Sequence, residues 1–141
     1  MKWKAFLTAS LCVFVASQAL DYLIHNMVLG PTYEALKHVW RPDMESKMWI
    51  MPVVGVIWAV LFTVIFIKGY EGRGLMEGVR FGLLIGLFWA IPMAYGSYAV
   101  YPIPYSLAFQ WFLYGTMETI LLGIVVALVY GRLAGPASRA A

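Results

Sequence analysis

The sequence predicts an all-α integral membrane protein, organised as a four-transmembrane-helix bundle with a short amphipathic surface helix. Composition is the first observation behind this prediction. Of the 141 residues, 62% are hydrophobic and 12% are charged, whereas a soluble domain carries roughly 25% charged residues. The second observation is that the apolar residues are gathered into runs long enough to cross a bilayer as helices. The mean hydropathy of the whole chain is correspondingly high, at +0.78.

Four apolar runs are separated by polar or proline-containing breaks. The predicted membrane helices cover residues 5–29, 48–67, 75–98 and 105–130. The chain length fits one membrane domain, residues 1–141. The end of the chain, residues 133–141, is rich in Ala, Gly, Pro and Ser and is expected to be a mobile tail.

The surface helix is predicted between the first two membrane helices, at residues 32–41, after Gly30-Pro31 ends the first helix. The apolar and aromatic residues of this stretch recur at helical spacing: Tyr33, Leu36, Val39 and Trp40. Charged residues lie opposite them, and tyrosine and tryptophan favour the membrane interface. The pattern therefore predicts an amphipathic helix lying on the membrane surface.

The N-terminus has features of a signal peptide, because Lys2 and Lys4 precede an apolar run with a small-x-small site at Ser17-Gln18-Ala19. The run continues past this site to Leu29, so we expect a retained first helix. The basic residues predict the orientation. One side of a four-helix arrangement holds Lys2, Lys4, Lys68, Arg73, Arg80, Arg132 and Arg139, and the other holds Lys37, Arg41 and Lys47. This asymmetry predicts a protein of the bacterial inner membrane with both termini in the cytoplasm.

The most informative single residue is Glu118, which lies near the middle of the fourth predicted helix. A charged group at that depth costs about 3 kcal/mol on insertion scales, so intramembrane carboxyl groups usually have a function. A carboxyl that can exchange a proton at mid-membrane suits proton coupling or cation binding. The alternative is structural, with Glu118 hydrogen-bonded to Tyr114, Gln18 or Ser17 to hold helices together.

Other polar residues of the first and fourth helices predict an access path to Glu118. Gln110, Tyr114 and Glu118 follow one another at four-residue steps. In the first helix Ser10, Ser17, Asp21 and His25 share a face, with Gln18 beside them. At 1.5 Å per residue, Gln110 is level with Asp21 and Tyr114 with Ser17 and Gln18. If the two helices pack together, their side chains form a ligand- or proton-binding pocket that opens to the outer side.

Small residues form two ladders. In the third helix Gly78, Gly82 and Gly86 repeat every four residues, and in the fourth helix Gly115 and Gly123 belong to a similar series. Small residues at this spacing let two helix backbones approach closely in lipid. The sequence leaves open whether the ladders meet within one chain or between chains.

Several classes of function find no support in the sequence. The single cysteine, Cys12, allows no disulfide within one chain. The net charge of +3 is scattered, so no nucleic-acid surface is expected. We predict no catalytic residue, metal site or cofactor, and hence a protein that is not an enzyme.

Three hypotheses remain. The first is proton- or cation-linked transport or small-ligand binding at Glu118, in a homo-oligomer because four helices enclose little space. The second is a non-catalytic accessory subunit that binds a partner membrane subunit, in which Glu118 is an interhelical hydrogen-bonder. The third is a redox subunit that binds a cofactor through His25 and the carboxylates.

Overall fold

The structure, a computed structural model, describes residues 2–135, which are helical with short connections and contain no strand. The elements in chain order are α1 (Trp3–Asp21), a π-helical segment (Tyr22–Val28), α2 (Gly30–Ala35), two 3₁₀ turns (Lys37–Val39 and Glu45–Lys47), α3 (Ile50–Lys68), α4 (Leu75–Val100) and α5 (Tyr105–Ala134). Four helices are long and apolar enough to span a membrane: Trp3–Val28, Ile50–Lys68, Leu75–Val100 and Tyr105–Ala134. The prediction of four such helices is thereby confirmed.

The ends of the helices differ modestly from the predicted ones. The largest difference is at the C-terminus, where α5 continues to Ala134, four residues past the predicted end at Tyr130. Leu133 and Ala134, which we assigned to a mobile tail, are therefore helical, and Ala134 is buried. Gly135 follows as the C-cap of α5, and residues 136–141 of that predicted tail lie outside the described residues.

The first long helix, Trp3–Val28, is not a uniform α-helix. From Tyr22 to Val28 it widens into a π-helix, and the N–H of Leu29 bonds to the carbonyl of Ile24, five residues back. π-Helical turns are rare and are often found at functional sites. The widening coincides with the polar end of the helix, which carries His25.

The predicted surface helix, residues 32–41, is wrong as a continuous helix. The structure has only the short helix α2 and one 3₁₀ turn there. The indole N–H of Trp40 donates to the carbonyl of Tyr33 at 3.1 Å, the group that a continuing α-helix would offer to Lys37. The apolar face itself is used, because Tyr33, Leu36, Val39 and Trp40 pack on a core of Leu29, Ile103, Leu107 and Ala108.

The glycine ladders meet each other within one chain. Helices α4 and α5 form the most extensive contact of the fold. A Cβ atom at Gly78 would collide with the backbone of Gly123, and one at Gly82 with the backbone of Thr119. At Gly86 a Cβ would meet the Thr119 hydroxyl, whereas Gly115 has only an ordinary contact with Ala90. The absence of side chains at the first three glycines therefore sets how closely the two helices approach.

The bundle is filled differently in its two halves. Near the ends of α3 and α5, an aromatic core joins Phe62, Phe66 and Phe81, with ring centroids 4.8 and 5.3 Å apart. Tyr70 and Tyr130 extend this core toward the loop between α3 and α4. The other half, on the side of the Tyr101–Pro104 turn, has a smaller core of Leu29, Ile103, Leu107 and Ala108 and contains a cavity.

Candidate functional site

The candidate site is a cavity of about 220 Å³ that all four long helices line. Its walls come from the ends of α1 and α4 and the beginnings of α3 and α5, which the antiparallel arrangement brings to one side of the bundle. The lining residues are Ser17, Asp21, Ile24, His25, Met51, Val54, Gly55, Trp58, Trp89, Ala90, Met93, Trp111, Tyr114, Gly115, Glu118 and Thr119. The surface is mainly apolar and aromatic, with a few polar groups, which is typical of sites for small molecules.

Four of the six predicted ligand- or proton-binding residues line this cavity: Glu118, Asp21, Tyr114 and His25. Two carboxyl groups from different helices, Asp21 on α1 and Glu118 on α5, therefore share one small space. Glu118 lies 13 residues into α5, a depth of ~20 Å from the start of that helix. The aromatic core closes the bundle beyond it, so the cavity is blind at that end.

The other two predicted residues, Gln18 and Gln110, do not line the cavity. The Gln18 side chain lies against α3, where a Cβ atom on Gly55 would be 2.9 Å from its Nε2. Gln110 is rotated away from Glu118, because each four-residue step turns 40° farther around an α-helix. Trp111 is seven residues before Glu118, and seven residues turn an α-helix to within 20° of two full turns. Trp111 therefore lies on the same face as Glu118 and lines the cavity where we had expected Gln110.

Glu118 has no partner in the protein over residues 2–135. Its carboxyl makes no hydrogen bond and no ion pair there. Neither carboxyl oxygen is a fully buried atom that lacks a hydrogen-bond partner. Ser17, one of the proposed partners, donates its hydroxyl to the carbonyl of Phe14 at 2.8 Å instead. The Glu118 carboxyl is thus half-buried and faces the cavity.

A hydrogen-bonded group beside the cavity is centred on Tyr33, which lies between the first two long helices in residues 29–49, here called the surface segment. The Trp111 indole N–H donates to the Tyr33 hydroxyl at 2.7 Å. The same hydroxyl lies 2.6 Å from Nδ1 of His25. On the other side of that ring, Nε2 of His25 is 3.8 Å from a carboxylate oxygen of Asp21. A polar chain therefore runs from the surface segment to a carboxyl group of the cavity.

The protons of this chain can be assigned. Burial raises the pKa of Tyr33 to about 12, with the charge of Asp21 acting in the same direction and the Trp111 hydrogen bond opposing it. Tyr33 therefore keeps its proton at neutral pH. The Tyr33 oxygen accepts from Trp111, because an indole N–H only donates. Nε2 of His25 faces the Asp21 carboxylate, which favours the neutral tautomer with its proton on Nε2. In that tautomer Nδ1 accepts the Tyr33 O–H.

Sequence reasoning missed the aromatic half of the site. Trp58, Trp89, Trp111 and Tyr33 were not singled out as site residues. The seven-residue step from Trp111 to Glu118 is a signal that the sequence contains. No comparable signal exists for Trp58 and Trp89, because their relation to Glu118 depends on how separate helices are placed.

No group of three or more His, Cys, Asp or Glu side chains that could hold a metal ion is found in the part of the chain that the structure describes. Comparisons of the chain with models of protein families, with curated proteins and with solved structures find no match.

Proposed function

We propose that this protein is an integral membrane protein that binds a small ligand in the cavity and couples binding or transport to protonation of Glu118. The membrane assignment is supported by the surface of the four long helices. Large apolar side chains point outward along them, including Leu84, Phe88 and Leu61, which are 67%, 76% and 55% exposed. An apolar surface of this extent suits contact with lipid and not with water.

The observation that carries the ligand-binding proposal is the unpartnered Glu118 carboxyl in a cavity that it shares with Asp21. An interhelical clasp needs a hydrogen-bond partner on another helix, and the described residues provide none. A carboxyl at this depth without a protein partner suits exchange of a proton or binding of a cation. The blind floor favours a carrier or a binding site over an open pore, and the protein is proposed to act without catalysis.

We also propose how the protein is oriented in the membrane and with what it assembles. The excess of basic residues on one side supports cytoplasmic termini in a bacterial inner membrane, so that the cavity lies toward the outer side. Four helices enclose only a small cavity, which supports assembly with a second copy or with another membrane subunit. No resident cofactor is proposed.

Infrared difference spectroscopy of the purified, membrane-reconstituted protein tests the role of Glu118. We expect a carboxyl C=O band that appears and disappears as the bulk pH changes, and that is lost in Glu118→Gln. Gln110→Leu is the matched control, because Gln110 lies on the same helix outside the cavity. A band that ignores bulk pH would show that Glu118 does not exchange protons and would refute the proposal.

A stability measurement separates the binding site from the structural alternative. Because Glu118 has no partner to lose, Glu118→Gln and Glu118→Leu should leave the unfolding midpoint in mild detergent unchanged or higher. A clasp that holds helices together would instead lose about 1–3 kcal/mol in Glu118→Leu. Such a loss would favour the accessory-subunit hypothesis.

A further inference from the structure

We infer that the ligand of this cavity is a small organic cation with an alkylated ammonium group. The inference rests on the proposed function and names its substrate class. Three of the six tryptophans in the chain line the cavity. They come from three different helices, Trp58 from α3, Trp89 from α4 and Trp111 from α5, and they share the space with both carboxyl groups.

Two of the three indole rings are held in place. Trp58 stacks on Phe62 of the aromatic core, with ring centroids 4.7 Å apart and planes inclined by 21°. Trp111 is fixed by its hydrogen bond to Tyr33. Trp89 lies at the wall, 53% exposed. Rings that are already ordered lose little freedom when a ligand binds, and the face of tryptophan is the strongest cation–π partner among side chains.

The charges of the cavity have one sign apart from His25. Asp21 and Glu118 are acidic, and no lysine or arginine is among the lining residues. An anionic ligand would meet two carboxyl groups without a fixed positive charge to offset them. A cation meets carboxylates and aromatic faces that are all favourable to it.

The shape and chemistry of the lining distinguish among cations. Hard metal ions such as Ca²⁺ need six to eight oxygen ligands, and the described lining is predominantly carbon. A volume of about 220 Å³ is large for a bare ion and suits a compact molecule. An alkylated ammonium group places its charge near the carboxylates and its methyl groups against Trp58, Trp89 and Met93.

The test titrates the purified full-length protein with choline and with 3,3-dimethylbutan-1-ol, a neutral molecule of the same shape. Tryptophan fluorescence and calorimetry report binding. We expect saturable binding of choline, with the neutral molecule at least about tenfold weaker. Trp89→Leu and Trp58→Leu should each raise the choline Kd roughly 5- to 30-fold. Trp49→Leu is the matched control, since Trp49 is 67% exposed and lies outside the cavity, and it should leave the Kd unchanged.

The outcomes separate this inference from the proposed function. If the neutral molecule binds as well as choline, or if neither choline nor tetramethylammonium binds saturably, the organic-cation inference is overturned. The infrared signal of Glu118 is measured on the same samples. A carboxyl band that still responds to bulk pH then leaves the proposed function standing, whereas a silent band removes both.

Discussion

The hydroxyl oxygen of Tyr33 lies 2.6 Å from Nδ1 of His25, and this contact joins the short segment between the first two long helices to the wall of the cavity. Tyr33 belongs to α2, outside the four long helices, whereas His25 lies on the π-helical end of the first long helix. The same hydroxyl accepts the Trp111 N–H from α5. One phenol group thus connects three elements beside the cavity.

Tyr33→Phe should weaken this junction. The substitution removes the acceptor of the Trp111 N–H and the donor to His25, so we expect the free energy of unfolding to fall by about 1–3 kcal/mol. Nitrogen NMR should also show that the ring proton of His25 is no longer confined to Nε2. Tyr22→Phe is the control, because Tyr22 is 61% exposed, and it should change stability by less than about 0.5 kcal/mol. Equal effects of the two substitutions would contradict the proposed role of the hydroxyl.

The pKa of Tyr33 predicts a pH dependence. Burial raises this pKa from 10.0 to about 12. Between these values the folded protein retains a proton that the unfolded chain has released, so the free energy of unfolding should fall as the pH rises through this window. The contribution is complete below pH 10 and is lost toward pH 12. The difference between wild type and Tyr33→Phe isolates it, since other tyrosines also titrate in this range. Parallel curves for the two proteins would show that Tyr33 titrates normally.

The contact between α4 and α5 predicts opposite results for two glycines of the same helix. A Cβ atom at Gly82 would collide with the Thr119 backbone, whereas one at Gly96 would have nothing within 4 Å. Gly82→Ala should therefore destabilise the protein by about 1–3 kcal/mol. Gly96→Ala should stabilise it by about 0.5–1 kcal/mol, because alanine restricts the unfolded chain. Unfolding in mixed micelles measures both, and a harmless Gly82→Ala would mean that the helices are farther apart in solution.

We expect Glu77 to stabilise the conformation of the loop between α3 and α4. Its buried carboxylate accepts the backbone N–H groups of Glu71 at 2.5 Å and Arg73 at 2.7 Å. In Glu77→Gln only one amide oxygen remains as an acceptor, so we expect a loss of about 1–2 kcal/mol and faster tryptic cleavage after Arg73. Glu71→Gln, which removes only an exposed ion pair with Arg73, should leave cleavage nearly unchanged. Identical cleavage rates for the two variants would rule out this role of Glu77.

Several local features could be predicted because they depend on one segment at a time. The small residues around Gly78 and Gly82 predict close packing of α4, and the depth of Glu118 follows from the length of its helix. The prediction of a continuous surface helix was wrong because a side chain of the same segment competes for a helical hydrogen-bond acceptor, which the spacing of apolar residues does not show. The Trp40 side chain takes the Tyr33 carbonyl, and the helix ends at Ala35.

Composition and the length of the apolar runs determined that the chain forms four long helices, because a bilayer-length apolar segment must satisfy its backbone hydrogen bonds internally. The sequence also determined that Glu118 and Asp21 lie on two of those helices. Only the tertiary structure decided which side chains surround them. The rotation of each long helix about its own axis brings Trp58 of α3 and Trp89 of α4 to the cavity that Trp111 and Glu118 of α5 also line. Those rotations are set by packing between helices, and no single segment of the sequence records them.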